Sequence, residues 1–127
     1  MARETKEHKC LKIIIENFKV YEVDFMNFKI TDEQPLTYHH IIPRRDGGAT
    51  TVKNGAVLTL DAHAYFHIIE RKNYAITQEI TRLFQELHKN ENIPDFDYYE
   101  KIDFLLNKYE QNKFKIYMKD KKRERVK

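Results

Sequence analysis

The chain has 127 residues, 41% of them hydrophobic with 8 Tyr and 8 Phe, which suits one folded domain (residues 1–127) with a modest core and excludes a disordered chain. Cys10 is the single cysteine, which excludes an internal disulfide and paired-cysteine zinc sites; no apolar run approaches the ~18 residues of a membrane span, and the opening MARETKEHKC has no signal-like apolar region. The net charge of +3 is unevenly spread, with +6 in residues 113–127 and −3 in the 112 residues before them, and the chain as a whole reads as soluble and cytoplasmic.

Leu11, Ile14, Ile15 and Phe18 recur at i, i+3, i+4 and i+7, which predicts a first helix over roughly residues 4 to 18. Tyr21, Val23 and Phe25 then alternate with acidic residues, and Phe28 and Ile30 flank Lys29, so residues 20 to 30 read as strand or hairpin turning near Asn27. Leu36 to Ile42 and Ala56 to Leu60 are strand-like, with Pro43 ending the first. The segment RRDGGATTVKNG forms an irregular connection whose glycines, Gly47, Gly48 and Gly55, shape the chain rather than contact a ligand.

Asp61 is placed to cap a helix running through HAYFHIIERK. Two further helices follow, one carrying Ile76, Ile80, Leu83, Phe84 and Leu87 and the other Tyr98, Ile102, Leu105 and Tyr109, separated by the segment from Asn92 to Asp97 that contains Pro94. These stripes read as core packing. The fold class is therefore α+β. A β-hairpin packs on a helix within residues 36–72, preceded by an N-terminal helix and followed by a helical extension over 73–112 and a basic tail over 113–127. That tail is either a solvated helix end or the electrostatic footprint of a nucleic-acid contact.

Four of the six histidines fall in the hairpin–helix unit, His39 and His40 at the end of the first strand and His63 and His67 on the helix. Residues four apart share a helix face, so His63 and His67 can hold one ion, and a hairpin packed on that helix can supply His39 as a third ligand. Such a set leaves coordination positions open for water and substrate, as a catalytic site requires. A His-x-x-x-His pair alone is usually incidental, and it gains meaning here from its two companions on the strand.

The segment YHHIIPRRDGGATTVKNGAVLTLDAHAYFH resembles the HNH, or ββα-metal, nuclease family, with His40, Asn54 and His63 as the three eponymous letters. Asn54 follows His40 by 14 residues, His63 follows Asn54 by nine, and His67 comes four later, similar to the three-histidine version found in bacteriocin DNases. The resemblance covers residues 38 to 67. It implies a metal-dependent endonuclease hydrolysing phosphodiester bonds in nucleic acid, DNA rather than RNA, with one divalent metal ion (Mg, Mn, Zn, Ni or Co) on His39, His63 and His67. It also implies that His40 is the general base and that Asn54 orients His40 through a hydrogen bond.

The chemistry agrees with that division. Phosphodiester hydrolysis needs a deprotonated water and a cation to neutralise developing charge, and an imidazole, with an ordinary pKa near ~6.5, suits the proton transfer if it stays off the metal. Adjacent residues of a regular strand point to opposite faces, so the reading requires a twist or irregularity at the strand end before Pro43 if His39 and His40 are to share a site. Arg44 and Arg45 follow closely enough to bind nucleic-acid phosphate. Many HNH domains carry paired cysteines on a structural zinc; this chain has none, and its late helices are expected to take that place. The rival is a non-catalytic nucleic-acid-binding module in which His39, His63, His67 and Cys10 close a structural zinc site, which leaves His40 and Asn54 without a purpose.

Overall fold

The computed structural model describes residues 4–126, with the side chains of 114, 116, 117 and 119–126 outside that description. The basic side chains Lys121, Lys122, Arg123 and Arg125 of the expected nucleic-acid tail therefore lie outside the described residues. The architecture is α+β, as the sequence predicts: α1 (Lys6–Phe18), β1 (Leu36–His40), a 3-10 turn η1 (Arg44–Asp46), β2 (Gly55–Thr59), α2 (Leu60–Lys72), α3 (Tyr74–Asn90) and α4 (Phe96–Val126).

In α1 the hydroxyl of Thr5 accepts from the backbone of His8 and starts the helix, and Lys19 ends it in the left-handed region at φ 51°. The buried stripe of α1 is Cys10, Leu11, Ile14 and Phe18. β1 and β2 pair antiparallel, Leu36 opposite Thr59 through His40 opposite Gly55. Alternation divides β1: Thr37 and His39 face α2, whereas Tyr38 faces α1, its ring and the end of Ile14 closing on Gly55 so tightly that a Cβ there would come within 2.3 Å of Tyr38. The hairpin is thus layered between α1 and α2.

Residues 20 to 30 form no regular strand. Only an isolated bridge, Val23 to Lys29, survives of the expected hairpin, although the turn is where the spacing puts it, with Asn27 at φ 67°. The reason is Asp24. Its fully buried carboxylate accepts from Met26 N (2.8 Å) and Phe28 N (3.0 Å), which tightens the segment into a turn, and from Thr59 N (2.8 Å) at the end of β2. Phe25 N also donates to the Val57 carbonyl at 3.0 Å. This turn therefore covers the edge of β2 that β1 leaves free, and all five β2 residues are buried.

Two expected boundaries shift for identifiable reasons. β1 stops at His40 rather than Ile42 because the Asn54 amide takes over the backbone of Ile42 and Asn54 O accepts from Ile41 N. The cap of α2 is Thr59, whose hydroxyl accepts from Ala62 N at 3.2 Å, and not Asp61, which lies in the first turn and hydrogen-bonds Gln34. Asn73 alone separates α2 from α3, and its side chain caps α3. Phe66 of α2 stacks on Phe84 of α3, and Phe25, Phe66 and Phe84 are all essentially fully buried, each contributing about 1.5–3 kcal/mol relative to exposure. α4 lays Tyr98, Ile102, Leu105 and Tyr109 into the core, and the Tyr98 hydroxyl donates to the Phe25 carbonyl. The helix then continues past residue 112, where the sequence suggested a separate tail, to Val126. No described helix is long and apolar enough to cross a membrane.

Candidate metal centre

His39 leaves β1 toward α2, where it meets His63 and His67. Ring centroids are 5.2 Å apart for His39 and His63, 6.0 Å for His39 and His67, and 5.0 Å for the stacked pair His63 and His67. One ring nitrogen from each lies within 4.8 Å of the other two. The three predicted ligands thus converge and can hold a metal ion. Cys10 does not join them: its thiol is directed at the Thr50 carbonyl, 4.0 Å away, so the fourth ligand of a closed zinc site is not supplied by it.

The surroundings of the cluster suit a cation. His39 Nε2 is buried with no hydrogen-bond partner among the described residues, and burial first, then the neighbouring His63, His67 and His40, push the His39 pKa down to about 3. His39 is consequently a neutral imidazole near neutral pH, the form that binds metal. Burial and His67 also lower His63.

Hydrogen bonds set which nitrogens are free. The Thr37 hydroxyl donates to the Leu58 carbonyl at 2.9 Å, and His63 Nδ1 lies 2.8 Å from the Thr37 hydroxyl oxygen. A hydroxyl has one proton, so both bonds form together only when His63 Nδ1 carries the hydrogen and donates, which leaves Nε2 as a lone pair. Glu70 Oε1 lies 3.4 Å from His67 Nδ1 and, as an acceptor, imposes the same tautomer. Three imidazoles favour zinc, nickel, cobalt or manganese over magnesium. Neither Thr37 nor Glu70 was singled out from sequence. The signals were present, since Thr37 shares the strand face of His39 and Glu70 sits three residues after His67 and seven after His63 on one helix face.

His40 goes elsewhere. The irregularity expected before Pro43 is absent from the strand pairing, and the two rings take opposite faces. The His40 ring packs edge-on against Tyr38 at 4.8 Å, and its Nε2 is 2.9 Å from the Thr50 hydroxyl. It nevertheless borders the same cavity as the three histidines, because the strand ends at His40 and the cavity, about 600 Å³, wraps around that end.

The hydrogen bond expected from Asn54 to His40 is not made. Asn54 Oδ1 accepts from Ile42 N at 2.8 Å, and its Nδ2 donates to the carbonyls of Ile42 (3.0 Å) and Ala49 (2.9 Å). It clamps the loop carrying η1 rather than orienting a ring. Gly48 sits so close beneath this clamp that a Cβ would come within 1.7 Å of the Ile42 oxygen, and Gly47 has φ +89°. The clamp presents Arg44 and Arg45 to the cavity, where Arg45 lies 3.8 Å from Glu70.

Comparison with protein-family models, with curated proteins and with solved structures finds no match for this chain.

Proposed function

We propose that the chain is a metal-dependent endonuclease of HNH type that hydrolyses phosphodiester bonds in nucleic acid, with DNA favoured over RNA. The observation that carries this reading is the separation of roles around one cavity. His39, His63 and His67 cluster as ligands, while His40, next in sequence to a ligand, stays outside the cluster and still borders the cavity. A base must keep its nitrogen off the metal, and a histidine placed so has no purpose in a closed structural site.

A divalent cation held by the three imidazoles would supply Lewis acidity at a phosphate oxygen. The chain's own residues do the rest. The Thr50 hydroxyl fixes the His40 ring, which takes the proton from the attacking water. Arg44 and Arg45, presented by the Asn54-clamped loop, bind the phosphate and oppose its negative charge. Asn54 acts through the loop as a positioning residue. Cys10 lies apart from the cluster, so three protein ligands leave room in the coordination sphere, which supports an open site over the structural-zinc alternative.

Supercoiled plasmid incubated with the metal-stripped protein and each of Mg, Mn, Zn, Ni and Co in turn tests this directly. Nicking with at least one metal, abolished by chelator and restored by adding that metal back, is the expected result. Metal binding by titration with no nicking of DNA and no cleavage of RNA would leave the chain a binding module.

A further inference from the structure

The cavity at the histidine cluster is larger than one phosphate needs, and one of its walls belongs to a helix outside the hairpin–helix unit. Tyr74, Gln78, Arg82 and Gln85 of α3 border it, all exposed, at i, i+4, i+8 and i+11. That spacing is a single helical stripe, adjacent to the buried stripe of Ile76, Ile80, Phe84 and Leu87 that fixes α3 in place. The stripe carries no carboxylate, whereas the exposed Glu79 and Glu86 of the same helix are turned away from the cavity. Arg82 forms no ion pair among the described residues, and η1 contributes Arg44 and Arg45 from a separate wall. Polar amides, an exposed aromatic ring and an unneutralised guanidinium on a carboxylate-free face are the groups that bind a nucleic-acid strand: phosphate by the guanidinium, bases and sugars by the ring and the amides.

From this arrangement we infer that the α3 stripe is a second substrate-binding wall, on which Arg82 holds a phosphate flanking the scissile one while the strand passes between α3 and η1. The inference rests on the nuclease reading for the identity of the scissile phosphate, but the wall itself is tested by binding alone. It assigns α3 a role in affinity and in substrate length rather than in the chemical step.

Arg82→Gln is the test, with Lys89→Gln, an exposed cation of the same helix that does not border the cavity, as the charge-matched control. Anisotropy of a labelled oligonucleotide, single-stranded and duplex, is measured in chelator over a range of salt. The Arg82 variant should bind about fivefold more weakly and lose roughly 0.7–0.9 from the slope of log affinity against log salt, the loss of one phosphate contact, while the Lys89 variant moves neither. With metal added, oligonucleotide cleavage by Arg82→Gln should be reduced through KM, and hydrolysis of bis(p-nitrophenyl) phosphate, which has no flanking phosphate, should be reduced far less. Unchanged affinity and slope in a normally folded Arg82 variant, or an equal loss in both variants, would overturn the inference. Absence of all hydrolysis by the wild type would instead sink the nuclease reading and leave the binding comparison standing.

Discussion

Thr37 contributes to the site through a single proton. Because its hydroxyl is spent on the Leu58 carbonyl, it can only accept from His63 Nδ1, and this fixes a metal-binding tautomer before any metal arrives. Thr37→Val keeps the shape and removes the acceptor, so metal affinity should fall about 10–100-fold with the fold intact, and His63→Ala should lose more. Isothermal titration of both variants checks this, and unchanged affinity in either would remove that side chain from the site. The histidines were legible in sequence because the helical repeat alone places His63 above His67. Thr37 and Glu70 were not singled out, since a hydroxyl or carboxylate becomes part of a site only when a second element brings a ring to it. Asn54 was assigned the wrong partner for a related reason: its three bonds are to backbone, and backbone groups have no sequence signature.

At the scale of elements, the start of α2 is fixed by Asp24. This carboxylate ties the turn at residues 24–28 to Thr59 N, immediately before the helix that carries His63 and His67. Burial raises the Asp24 pKa, and its three backbone donors work against that rise. Asp24→Ala leaves the buried N–H groups of Met26 and Thr59 and the part-buried one of Phe28 without an acceptor, at about 1–3 kcal/mol for each buried group, so the variant should be destabilised by at least ~2 kcal/mol in urea denaturation. A change within ~0.5 kcal/mol would show that water replaces the carboxylate and that the turn does not hold α2. Alternation across residues 20 to 30 suggested a strand, but the segment serves as an edge cover. Local pattern could not distinguish the two, because the deciding bonds run to β2, more than thirty residues away. The stripes of α1, α3 and α4 were legible for the opposite reason, since each is set by spacing within one helix.

Across the whole molecule, the buried imidazoles link stability to pH. An unfolded chain protonates His39 near the ordinary 6.5, whereas the folded chain resists until about 3, so between those values the unfolded state binds more protons and acidification favours unfolding. His63 and His88, both lowered chiefly by burial, act in the same direction. Metal-free protein should therefore lose stability as pH falls from about 6.5, by up to ~1.4 kcal/mol per unit from His39 alone, with the raised Asp24 acting in the opposite sense at the acid end; a stability that rises as pH falls from about 7 to about 5 would contradict the burial of these rings. The division of labour between His40 and the three converging histidines is the central claim, and one paired measurement on His40→Ala tests it most directly. Metal affinity by titration should match wild type, because His40 lies outside the ligand cluster, while nicking of supercoiled plasmid at saturating metal should fall by about 10²–10⁴-fold. Cleavage at the wild-type rate, or loss of metal binding together with cleavage, would contradict the account.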